Sequence, residues 1–175
     1  MTVQGLGPGT SELSNEANRA SSGARRAFQR LVNTTDAVWP TILRVTLGGV
    51  MLPHAAQKTL GVFGGLGFAQ TMGWLTGQLH LPTVVAVLVI IFEQAGSLAL
   101  LLGLFTRAAA VAIGIVMIGA VFSVHFQNGF FMNWFGTQAG EGFEFHLLVL
   151  AMVAALILGG GGRASFDRIL SRDPQ

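Results

Sequence analysis

The stretch Thr83–Leu104 reads TVVAVLVIIFEQAGSLALLLGL and carries one charged residue, Glu93. A helix crossing the hydrocarbon core of a bilayer takes about 20 mostly apolar residues. The segment therefore predicts a membrane span, and it poses the problem of Glu93. A charged side chain at mid-bilayer costs about 2.5–3.5 kcal/mol on insertion scales. A residue so costly is one that a partner holds or a function uses. The rest of the chain agrees, with 51% hydrophobic and only 10% charged residues, where a soluble domain carries roughly 25% charged. The absence of cysteine excludes disulfides, iron–sulfur clusters, thiolate metal sites and catalytic thiols. A pI near 10.5 accompanies a formal net charge of only +2, so no nucleic-acid partner is expected and the arginines read as topology signals.

Three further spans follow the same logic. The first covers about Ala37 to Ala56, with Pro40 tolerated in its first turn, Trp39 as an interface anchor, and Pro53 expected to kink or end it. The third runs from about Ala108 to Val124, after a short turn containing Thr106 and Arg107. The fourth begins near Phe145 and stops before Gly159–Gly162. The predicted fold class is all-α, an integral membrane four-helix bundle. Arg19, Arg25, Arg26 and Arg30 precede the first span, Arg107 joins the second to the third, and Arg163, Arg168 and Arg172 follow the fourth. The opposite side has Lys58 alone, so the positive-inside rule places both termini in the cytoplasm.

The expected organisation is a polar, partly disordered cytoplasmic tail over 1–36, a transmembrane domain over 37–162 and a short cytoplasmic tail over 163–175. The first tail lacks the pattern of a cleavable signal peptide, and Asn18–Val32 within it suits a short interfacial helix or a basic tail that only sets topology. The outer loops, Gln57–Pro82 and Phe126–Glu144, are rich in glycine and aromatics, as interfacial or re-entrant segments are.

Counting from the span ends puts Arg44 and Glu93 within a few ångströms in depth, and predicts a buried ion pair between them. His54, Lys58, His125, Glu144 and His146 fall at the outer ends of three spans, at one level. Arg44, His54, Lys58, Glu93, His125, Glu144 and His146 form the candidate cofactor-binding pocket, and Glu93, Arg44 and His54 are the candidate catalytic residues. The open alternatives are a structural clasp, ordinary interfacial polarity, and a pocket for a polar substrate or a quinone head group. A metal or haem site is disfavoured, because Glu144 and His146, two apart on a helix, point in different directions. The glycine runs lack the Gly-Lys-Ser/Thr of a phosphate loop.

Taken in order, these residues resemble the DoxX family of four-span membrane proteins over about Leu43 to Leu170. The resemblance rests on Arg44, Gly48 and Gly49; on His54, Gln57 and Lys58; on Glu93 and Gly96; on the turn Leu102-Gly103-Leu104-Phe105-Thr106-Arg107; on Gly142-Phe143-Glu144; and on the run from Gly160 to Asp167. Ala55 departs from the glycine the family often has there. The resemblance implies a membrane component of a redox system. Some such proteins are subunits of a thiosulfate:quinone oxidoreductase, and others join a membrane complex of thiol and oxidative-stress defence. The expectation for this chain is a multi-pass protein of a bacterial or archaeal plasma membrane. It would bind a quinone or another small lipophilic redox partner, in contact with other subunits or a soluble redox protein. The alternatives are a non-catalytic scaffold or anchor subunit of a larger complex and a permeation unit.

Overall fold

The computed structural model describes residues 8–172. Its helices are α1 (Pro8–Val32), α2 (Trp39–Leu60), α3 (Gly67–Gly77), α4 (Thr83–Leu102), α5 (Thr106–Ala120), α6 (Glu144–Gly159) and α7 (Phe166–Ser171), and no strand occurs among the described residues. A π-helical turn, Val121–His125, and a 3-10 turn, Phe126–Asn128, prolong α5. Two of these stretches, Thr83–Leu102 and Thr106–Asn128, are long and apolar enough to cross a membrane, while α6 is apolar but shorter. Their outward faces are apolar too: Val84, Leu88 and Ile91 on α4, and Val111, Ile115 and Phe122 on the α5 stretch, are exposed. A helix apolar on all sides is either buried in protein or set in lipid.

One core joins α2, α4, α5 and α6, built from Leu47, Met51, Leu100, Ile113, Val149 and Leu156 among others. Small residues let the helices close on one another. A Cβ on Gly48 would lie 2.9 Å from the Ser97 carbonyl oxygen and from Leu101 Cγ, so α2 and α4 meet there almost backbone to backbone. A smaller core of Leu75, Ala86 and Ile90 seats α3 against α4. The segment expected as an outer loop thus holds a packed helix, with α2 running on to Leu60.

Two further expectations are corrected. Of the two outcomes expected at Pro53, ending the helix does not occur: α2 continues seven residues beyond it. A proline inside a helix costs about 3 kcal/mol or more, which the packing of α2 against α4 offsets. The segment expected to hold at most a short helix from Asn18 is helical from Pro8. The expected disorder of its first seven residues falls outside the described ones. At the other end of α1, Val32 is fully buried and Phe28 meets Phe105 edge-on at 6.3 Å between ring centroids.

The turn from α4 to α5 takes only Gly103, Leu104 and Phe105. The Leu104 amide donates to the Ala99 carbonyl at 3.0 Å and the Gly103 amide to Leu100 at 3.2 Å, the paired bonds of a Schellman cap. Gly103 has φ +67°, and a Cβ there would lie 2.5 Å from Ser165 Cβ. Only glycine meets both conditions.

Candidate functional site

Two polar assemblies occupy opposite ends of the core. At the end formed by the C-terminus of α4 and the start of α5, Arg44 is 3% exposed and donates only to backbone carbonyls. Its Nε reaches Gly161 at 2.8 Å, Nη1 reaches Leu100 at 2.9 Å and Leu101 at 2.6 Å, and Nη2 reaches Ala164. Leu100 and Leu101 belong to the last turn of α4, whose carbonyls lack a full set of intrahelical partners. The planar fork of an arginine suits such a cluster. Beside it, Asp167 is 1% exposed and accepts from the amides of Phe105 at 2.6 Å and Thr106 at 2.8 Å. It caps the start of α5 from the far end of the sequence.

The expected Arg44–Glu93 pair is therefore not formed. The contact of Gly48 with Ser97 and Leu101 sets the register of α2 on α4, and it brings Arg44 beside Leu100 and Leu101. Glu93 lies two helical turns away, roughly 10–12 Å at 1.5 Å per residue.

Glu93 belongs instead to the second assembly. Its side chain is 1% exposed and pairs with Lys58, whose side chain is 37% exposed. Helical side chains lean toward the N-terminus of their helix. Lys58, near the C-terminal end of α2, thus reaches back to the carboxylate while its stem stays near the surface. Next to this pair, Thr59 donates to Gln94 Oε1 at 3.2 Å.

His125 and His146 complete the group. The π-helical turn delivers His125, and π-turns recur at functional sites. Its ring lies 4.1 Å from that of His146, centroid to centroid, tilted by 42°. His125 Nδ1 donates to the Glu141 carbonyl at 2.8 Å. Since a carbonyl only accepts, Nδ1 carries the hydrogen, and Nε2 keeps its lone pair while the ring is neutral. His146 is buried, and its Nδ1 has no hydrogen-bond partner. His125, Lys58 and His54 are the charged or titratable groups that bear on it.

The structure thus gathers Lys58, Glu93, His125 and His146, with His54 exposed at the margin. Arg44 is elsewhere. Glu144 turns to the loop after the 3-10 turn, accepting from the Met132 amide at 2.9 Å and Trp134 Nε1 at 3.1 Å, and so braces that loop. Sequence reasoning passed over Glu141, which orients His125 and whose carboxylate accepts from the Asn133 amide at 2.7 Å. It also passed over Asp167, although the run ending at that residue was conspicuous. No three histidine, aspartate or glutamate side chains converge to hold a metal ion among the described residues. What the group of Lys58, Glu93, His125 and His146 can do is hydrogen-bond a small polar head group and take or give a proton at an imidazole.

The DoxX family model matches residues 39–126, the stretch from the start of α2 to one residue past the π-helical turn, which contains Arg44, His54, Lys58, Glu93 and His125. A protein of Bacillus subtilis (strain 168) called "Putative oxidoreductase CatD" is 27% identical over 143 residues, covering 82% of this chain and 90% of that protein. No solved structure matches.

Proposed function

We propose that this chain, which belongs to the DoxX family of membrane proteins, is a membrane component of a redox system that holds a quinone or similar lipophilic redox partner at its outer polar group. The family and the likeness to a protein named as an oxidoreductase support the redox association. The observation that carries the finer reading is His146 Nδ1, a buried polar atom without a partner beside a buried ion pair. An unpaired buried polar group costs about 1–3 kcal/mol, and a ligand atom hydrogen-bonded there would recover it. His146 and Lys58 would hold the head group, Glu93 would fix Lys58, and His125, with Nε2 free to accept, would receive or return a proton. A bound quinone supplies two-electron, two-proton redox chemistry.

In this reading α2, α4, the extended α5 and α6 form a four-helix bundle over 37–162, in a bacterial or archaeal plasma membrane. The polar segments 1–36 and 163–175 lie on the cytoplasmic side. Other subunits or a soluble redox protein supply and remove the electrons. The test is to purify the protein in mild detergent, extract it and quantify quinone. Wild type should retain quinone, and His146→Ala and Glu93→Gln should each lose it by at least about tenfold, the equivalent of one good hydrogen bond. Retention by both variants at the wild-type level would sink the proposal. A wild-type protein without quinone would favour the second reading, a non-catalytic scaffold or anchor, which draws on Arg44 being spent wholly on backbone carbonyls.

A further inference from the structure

At the end of the molecule opposite the histidines, α7 lies between two basic grooves. One, of about 320 Å³, is lined by Leu102, Arg163, Phe166, Arg168, Ile169 and Arg172. The other, of about 410 Å³, is lined by Arg26, Arg30 and Ser171 with Gln29 and Asn33. In the first groove Arg168 is bound to Asp36. Among the described residues the other nearby carboxylate, Asp167, is buried with both oxygens held by the amides of Phe105 and Thr106. Arg163 and Arg172 are exposed, and their guanidinium groups have no hydrogen bond or ion pair among the described residues. Among the described residues, two of the three arginines therefore have no counter-charge.

The same groove is apolar along its other side. Leu102 is 51% exposed, Phe166 51% and Ile169 65%. A soluble phosphate or a nucleic acid would satisfy the arginines and leave these three side chains in water. A lipid satisfies both.

The geometry points to a binding site for an anionic diacyl phospholipid in the groove between α7 and the end of α4. Arg163 and Arg172 take the phosphate, Arg168 stays with Asp36, and Leu102, Phe166 and Ile169 meet the acyl chains. Basic pockets beside membrane helices take anionic head groups in this way. In the orientation proposed above the site opens to the cytoplasmic leaflet, but its existence depends on neither that orientation nor the redox reading.

The experiment uses the whole protein in mild detergent, with phosphatidylglycerol or phosphatidylcholine added and bound lipid counted by native mass spectrometry. Phosphatidylglycerol should be preferred, and binding should weaken about fivefold for each arginine removed, from about 1 kcal/mol per basic residue. Arg163→Gln/Arg172→Gln should thus lose the preference, Arg163→Lys/Arg172→Lys should keep it, and Arg19→Gln, distant on α1, should leave it unchanged. Arg172→Gln alone, at an exposed position with no bond to lose, tests the same point should the double variant not fold. Equal binding of the two lipids, or unchanged binding by Arg172→Gln and the double variant, would overturn the proposal. So would full displacement of the lipid by glycerol phosphate, which would make the ligand a soluble phosphate.

Discussion

Lys58 and Glu93 share one ion pair on unequal terms, since the carboxylate is sealed in and the lysine keeps 37% of its side chain exposed. Removing the lysine strands a buried charge. Lys58→Leu should therefore destabilise the protein toward the low end of the roughly 3–5 kcal/mol seen for broken buried pairs, because water can reach the vacated side. Lys58→Leu combined with Glu93→Leu should recover most of that loss, since a whole buried pair can be replaced by apolar groups at little cost. Thermal unfolding in detergent reads both. A double variant as unstable as the single one would mean that the pair organises more of the core than its own contact. That same variant separates the two functional readings. If it folds and the cell's redox phenotype is lost, the pair serves chemistry. If the phenotype survives, it is a clasp.

The helices themselves were largely legible, because runs of apolar residues broken by glycine and arginine leave few options. Pairing between them was not. Arg44 and Glu93 each showed as a charge that needs a partner, but matching them by depth assumed that α2 and α4 share both ends. The close approach at Gly48 slides Arg44 to the end of α4, and no count along one helix contains that offset. The continuation of α2 past Pro53 escaped for a similar reason, since the packing that tolerates the proline belongs to α4. Asp167 escaped because its partners are two amides distant in sequence. Those bonds hold Phe105, a non-glycine residue at φ +47°, in a region that costs of order 1–3 kcal/mol. Asp167→Ala should release it, at about 3 kcal/mol for two charge-assisted bonds. The amides of Phe105 and Thr106 should then exchange hydrogen markedly faster. Unchanged protection there would show that the turn holds itself.

For the whole molecule, the arrangement proposed above predicts opposite sides for its two kinds of connection. A cysteine placed at exposed Thr137, in the loop before α6, should react with a membrane-impermeant maleimide added to intact cells, and one at Arg163 should react only after lysis. Labelling of both from outside would invert or abolish the proposed topology. The carbonyl cluster around Arg44 adds a consequence in time. Arg44 leaves the ribosome 117 residues before Gly161, and 120 before Ala164, whose carbonyls complete its bonding. At 5–20 residues per second that is an interval on the order of ten seconds. Throughout it, an arginine already committed to a helix pair has the α4 acceptors Leu100 and Leu101 at most, and none before α4 is made. A chain truncated after α6 would stay in that condition, with a half-bonded cation at the end of its core. The bonds of Arg44 thus tie an early helix to the segment after α6, and they close in full only once the residues through Ala164 have been made.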